Sequence, residues 1–145
     1  MHKKAFVHFH FLVPCTLPNR KVLKKFIVSL FKKERKALEE LTVVFCSDNY
    51  VLELNRQFLH HDSYTDILSF PLSGIKEPLI AEIYISVDRV RDNARLVGTT
   101  FQEELHRVIF HGILHFCGYK DKSGSDIIKV RAAEDKYLRA YFYTN

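Results

Sequence analysis

Val7, Phe9 and Phe11 alternate with His8 and His10, and this period of two predicts a strand over residues 5–13 with one buried face. Pro14, Pro18 and Asn19 mark a turn. Beyond it Val22, Phe26, Ile27, Leu30 and Phe31 recur at helical spacing with lysines between them, which predicts a basic amphipathic helix with its apolar stripe turned inward. Residues 41–46 are rich in β-branched and aromatic side chains and predict a second strand. Ser47 or Asp48 then caps a helix carrying Val51, Leu54, Phe58 and Leu59 on its buried side. Two more strands are predicted over 66–72 and 79–87, joined by a loop containing Gly74 and Pro78, with a short helix over 88–96.

From Thr99 or Thr100, each suited to an N-cap, a helix runs through Phe101, Leu105, Val108, Ile109, Ile113 and Phe116 until Gly118 ends it. Ser123 or Ser125 opens a last helix with Ile127, Ile128, Val130, Ala133, Tyr137, Leu138 and Tyr141 as its apolar positions. The fold class that follows is α+β, a single domain over 1–145 with a small mixed four-stranded sheet covered by about five helices. Its size fits, because 145 residues are one domain's worth and enough to bury a hydrophobic core.

At 47% hydrophobic and 27% charged residues, with 5 Gly and 4 Pro, the composition excludes disordered and collagen-like chains. The net charge of +5 is uneven. Eight cations and the single anion Glu34 lie between Arg20 and Lys36, giving that segment +7 and the remainder −2. A clustered excess of this kind is either a polyanion footprint or a solvated helix face. The 3 cysteines, Cys15, Cys46 and Cys117, are too scattered for a disulfide framework or a CxxC site, which favours a reducing, cytoplasmic compartment. Lys3 and Lys4 ahead of an apolar run imitate a signal peptide, but His8 and His10 interrupt that run. No apolar stretch reaches the ~18 residues of a membrane span.

The chemistry is concentrated in His111-Gly-Ile-Leu-His115-Phe-Cys-Gly118-Tyr-Lys-Asp121. Histidines four apart on a helix differ by about 40° around the axis, so both imidazoles leave the same face and can bind one cation. Gly118 lets the chain turn out of the helix, and Asp121 can return a carboxylate to the same point. The spacing predicts a three-ligand metal site at the C-terminal end of the helix, with an open position. It parallels the H-E-x-x-H-x-x-G-x-x-H pattern of certain zinc proteases, but Gly112 stands where those proteases place their general base, and that argues against peptide hydrolysis. The other histidines are read differently: His8 and His10 on the outer face of the first strand, His60 and His61 in a loop, and His106 turned about 140° from His111.

Three stretches resemble, in the same order, the motifs of the bacterial YbeY-type rRNA maturation endoribonucleases. They are Leu54-Asn-Arg-Gln-Phe58 running into Asp62-Ser-Tyr-Thr-Asp-Ile-Leu-Ser-Phe-Pro71, then Ile80-Ala-Glu-Ile-Tyr-Ile-Ser-Val-Asp-Arg-Val-Arg91, then His111 to His115 through Gly118-Tyr119. The resemblance spans roughly residues 40–140. It implies a small α+β fold with a zinc site, and a role in maturing ribosomal RNA 3′ ends and in ribosome quality control. It matches His111 and His115 to the family's first two ligands and puts Asp121 where a third histidine usually stands. Most members also carry an arginine thought to help catalysis at the position held here by Leu59. Arg56 and Lys120 are the candidate replacements, each equally readable as a solvated cation.

A metal with three protein ligands keeps a position for water and polarises a phosphoryl oxygen. Asp121 lowers the charge of the site relative to a third imidazole, which predicts a more alkaline rate optimum than in Asp121→His. It also hardens the site, so manganese competes with zinc. The expected function is a zinc-dependent, single-strand-specific endoribonuclease acting on ribosomal RNA with the ribosomal small subunit as partner. Lys21, Lys24, Lys25, Lys32 and Lys33 would hold RNA, with surface Tyr64 stacking on a base and Phe70 in the core. The alternatives are a catalytically weak ribosome-assembly factor and a metal-dependent hydrolase of another substrate.

Overall fold

In the computed structural model, which describes residues 4–143, a four-stranded sheet carries five helices among the described residues. Lys3, from the signal-like start, and the outermost residues of the expected 1–145 domain lie outside the described residues. The elements run β1 (Phe6–Phe11), α1 (Arg20–Lys33), β2 (Leu38–Cys46), α2 (Asp48–Leu59), β3 (Ile67–Pro71), β4 (Leu79–Ser86), α3 (Val87–Val97), α4 (Phe101–Phe116) and α5 (Gly124–Tyr143). The sheet order is β1-β2-β4-β3, with β1, β2 and β4 parallel and β3 antiparallel to β4. The expected mixed sheet is therefore present.

Alternation along the central strands divides the core between two faces, because successive side chains of a strand point oppositely. Leu41, Val43, Phe45, Ile83 and Ile85 meet Leu23, Ile27 and Phe31 of α1, Val90 of α3, Leu105, Ile109 and Ile113 of α4 and Tyr137 of α5. Val44, Cys46 and Leu68 form a smaller cluster with Val51 of α2, against which Phe70 packs half-buried. Burial of such side chains stabilises by about 1.5–3 kcal/mol each. The larger cluster therefore clamps α4, which bears the histidine pair, between the sheet and α5.

Side-chain hydroxyls settle where four helices begin. Ser47, Ser86, Thr100 and Ser123 each accept a backbone N–H three residues on, all at 3.1 Å, the usual N-cap arrangement. Asp48, the other candidate cap of α2, instead accepts from Arg89 at 2.8 Å and Ser86 Oγ at 3.1 Å, tying α2 to α3.

Three expected burial patterns are corrected. The inward residue early in α1 is Leu23, and Val22 is exposed. In α2 the buried positions are Val51, Leu52 and Asn55, while Phe58 and Leu59 are exposed and Leu54 is half-buried. Asn55 is drawn in because its amide donates to the Ser63 carbonyl at 2.9 Å, fastening the following loop. In α5, Ile127 and Ile128 face solvent.

Candidate metal centre

α4 delivers its two histidines from its last two turns. Leu105, Val108, Ile109 and Ile113 hold the helix on the sheet, and Gly112 lets it come close. A Cβ at position 112 would lie 2.6 Å from Ile67 Cδ1 and 3.1 Å from Ile83 Cδ1. The glycine in place of the protease glutamate thus has a packing cause, since that flank of α4 is filled by β3 and β4. Just past the helix, Gly118 adopts φ 102°, a left-handed conformation that favours glycine. Its N–H reaches the His115 carbonyl at 3.1 Å, and the chain reverses to bring Asp121 back.

Three donor atoms converge there. His111 Nε2 and His115 Nε2 are 2.9 Å apart, and Asp121 Oδ2 lies 3.4 Å from His115 Nε2 and 4.0 Å from His111 Nε2. Bonds of about 2.0–2.2 Å in a tetrahedral zinc site put donors about 3.3 Å apart, and the three observed separations bracket that value. The donor set fits a divalent ion.

Sequence reasoning missed what stands behind His111. Glu134 of α5 is 2% exposed and accepts from His111 Nδ1 at 2.6 Å. Its other oxygen accepts from Arg107 Nη1 at 2.9 Å, while Arg107 Nη2 donates to Asp135 at 2.6 Å. With its Nδ1 hydrogen committed to Glu134, His111 presents a bare Nε2 lone pair to the centre, the tautomer that a metal ligand needs. Burial alone would lower the His111 pKa, but the Glu134 hydrogen bond and the charges of Glu134, Asp66 and Asp121 outweigh it and the group is raised. His115 is lowered, first by burial and then by the proximity of His111.

Beside the centre is a cavity of about 280 Å³ lined in part by Asp66, Glu104, Arg107, His111, Asp121 and Arg131. Burial raises the pKa of both Asp66 and Glu104. Neither expected replacement for the family arginine lines this cavity. Arg56 is bound to Glu53 at 2.8 Å and Asp62 at 2.5 Å on its own side of the fold, and Lys120 borders a separate hollow with Asp126 and Lys129. The arginines at the cavity are Arg107 and Arg131. Leu59 is 41% exposed. His106 is fully buried, donating from Nδ1 to the Gln102 carbonyl at 2.6 Å, and Tyr64 is exposed under the Arg89 guanidinium. All three cysteines are free thiols. Among the described residues, no helix is long and apolar enough to cross a membrane.

This architecture belongs to a recognisable class of small α+β domain. The solution structure of TM1509 from Thermotoga maritima superposes with a TM-score of 0.61 at 29% identity, covering 94% of this chain and 89% of that one. The family model described as Endoribonuclease YbeY matches residues 16–142. A protein of that name from Cytophaga hutchinsonii is 46% identical over 122 residues, 84% of this chain and 85% of the relative. Another, from Amoebophilus asiaticus, is 34% identical over 140 residues, 97% and 95% of the two chains. The chain belongs to the endoribonuclease YbeY family.

Proposed function

We propose that the chain is a metal-dependent endoribonuclease, one catalytic domain that cuts single-stranded ribosomal RNA. Its work would be maturation of the small-subunit RNA 3′ end and ribosome quality control in the cytoplasm, with the ribosomal small subunit as partner. His111, His115 and Asp121 would hold zinc, with manganese as a competitor because one donor is a carboxylate. The observation that carries this reading is the convergence of those three donors with Glu134 fixing the His111 tautomer from behind.

When bound, a divalent cation supplies Lewis-acid polarisation of a phosphoryl oxygen. The side chains divide the remaining work. Arg107 has donors taken by Glu134 and Asp135, so it neutralises Glu134 and holds α4 against α5. Arg131 is 60% exposed and only 3.7 Å from Glu134, which leaves it free to donate to a phosphate entering the cavity. Arg131, and not Arg56 or Lys120, is thus the cation best placed to serve where the family arginine is replaced by Leu59. Lys21, Lys24, Lys25, Lys32 and Lys33 of α1 would hold RNA further away.

The test is cleavage of single-stranded RNA by the purified chain with added zinc, beside a chelator control and His111→Ala. Cleavage that needs the metal and vanishes in the variant is expected. RNA retention without cleavage would instead favour a ribosome-assembly factor, the reading to which the apolar Leu59 lends weight.

A further inference from the structure

The lysines of α1 are not spread evenly over its exposed face. A hollow of about 1040 Å³ runs between α1, the outer edge of β1 and the start of β2, and Lys4, Lys24, Lys25, Lys32 and Lys36 all line it. Lys21 and Lys33 do not. One carboxylate, Glu39, lines it as well, leaving a strong positive excess. Among the described residues, none of the five lysines forms an ion pair with a carboxylate, and Lys24 rests instead 5.5 Å from the centre of the Phe9 ring.

Two aromatic rings stand at the rim of the hollow across the edge of β1, on the sheet face opposite α1, because Val7 and Phe9 turn toward α1 and the residues between and beside them turn away. Phe6, 49% exposed, and His8 both line it, two residues apart on β1 and therefore on one face. Their planes are within 4° of parallel and their centroids are 6.4 Å apart, about twice the ~3.4 Å step between stacked bases. His8 is held in place by Glu40 at 2.9 Å. β1 is an edge strand of the sheet, so a single strand can pass over its open edge from the lysines on one face to the two rings on the other.

This surface is remote from the metal centre. The hollow reaches Pro78, just before β4. The cavity at His111 reaches Asp66, whose carbonyl accepts from Ser86 at the other end of β4. At ~3.3 Å per residue along the strand the two lie roughly 25 Å apart. Residues 4–8, which supply Lys4, Phe6 and His8, also fall outside the 16–142 span matched by the family model.

We propose that this hollow is a second holding site for single-stranded RNA, the lysines taking backbone phosphates and the parallel Phe6 and His8 rings receiving one unpaired base. The proposal rests on reading the chain as an RNA-handling protein but uses no residue of the metal centre. An RNA long enough to span both sites would be gripped at the hollow and presented to the centre, whereas a tetranucleotide, about 10 Å of stacked backbone, could not reach both.

The test titrates a fluorescein-labelled single-stranded RNA of spanning length against the full chain in chelator, reading anisotropy. Lys25→Glu/Lys32→Glu is expected to weaken binding at least tenfold and to flatten the salt dependence by more than one unit of slope, since two phosphate contacts are lost. Phe6→Ala is expected to weaken it about fivefold or more. The control reversal Lys76→Glu/Lys136→Glu, which changes net charge equally on other surfaces, should cost less than twofold. Equal losses from the two double variants, or none from Lys25→Glu/Lys32→Glu, would overturn the proposal. Duplex RNA bound as tightly as single strands, with Phe6→Ala silent, would overturn it too. Metal-dependent cleavage of a tetranucleotide keeps the readings apart. Its absence from the unmodified chain, alongside intact hollow-dependent binding, would sink the nuclease reading while supporting this one.

Discussion

His106 and His111 stand five positions apart on α4, the first fully buried and the second half-buried. Around His106 stand the rings of Phe110, Tyr141 and Phe142, with the Gln102 carbonyl as its hydrogen-bond partner. Burial lowers its pKa against the smaller opposing effect of that bond. Around His111 stand Glu134, Asp66 and Asp121, and there the same burial is outweighed. The contrast locates the chemistry of α4 in the carboxylates that other elements bring to it, not in the histidines or their depth. One imidazole is a neutral piece of core, and the other is a tuned donor.

The strongest way to disturb this contrast is to carry a carboxylate onto the packed flank of α4. Gly112→Glu forces a side chain against Ile67 and Ile83 and buries a charge with no cation opposite. A loss of about 3–5 kcal/mol is expected, combining overpacking with an unpaired charge. Urea unfolding reads it, and a wild-type midpoint would refute the packing account of the glycine.

Next in size is the removal of the charge behind His111. Glu134→Gln keeps the shape and can still accept from Nδ1, but withdraws the negative charge that raises the basicity of the imidazole. Zinc affinity should fall about 10–100-fold, the usual cost of losing such a partner, as read by competition with a chromophoric chelator. If affinity is unchanged, the contrast between the two histidines has no bearing on metal binding.

How much of this was legible in the sequence depends on how far apart in the chain the partners stand. His111, His115, Gly118 and Asp121 lie within eleven positions, where helix geometry and one glycine turn set the distances, and all three donors converge. Glu134 is 23 residues beyond His111 and meets it only because α5 packs back along α4, so no local spacing announced it. Arg107 and Asp66 escaped notice for the same reason. The fold shows the same division. Strand alternation and cap residues marked the elements, since both are local, but Leu23 in place of Val22 and Asn55 in place of Phe58 depend on which neighbour covers which side of a helix. The hollow beside β1 is a further case: the lysine excess is plain in the sequence, whereas its gathering along the edge that carries Phe6 and His8 required α1 and β1 to be set side by side.

A gentler change alters the third donor alone. In Asp121→His the set becomes three imidazoles, softer and one charge more positive. Zinc should gain on manganese by about tenfold in a competition titration, because imidazole suits zinc and carboxylate suits manganese. Unchanged relative affinities would remove Asp121 from the donor set while leaving both histidines in it.

The smallest expected effect concerns His106, and its sign follows from linkage. The folded state holds this imidazole neutral below its ordinary pKa, so once the pH falls under the unfolded value of about 6.5 the unfolded chain binds the extra proton. Stability from this residue is therefore intact above that pH and declines as the pH drops toward the lowered folded value, by at most about 1.4 kcal/mol per pH unit for one proton. His106→Phe keeps an aromatic ring beside Phe110 and Tyr141 and removes the titration, so its urea midpoint should fall less steeply between pH 6.5 and 5 than that of the unmodified chain. His111 contributes with the opposite sign, because a raised folded pKa favours the fold at low pH and loses that advantage as pH rises. The cleanest comparison therefore puts both proteins in the Glu134→Gln background, where the main cause of that raised value is gone. If the two slopes coincide there, the acid sensitivity belongs to groups other than His106, and the aromatic surround is merely packing.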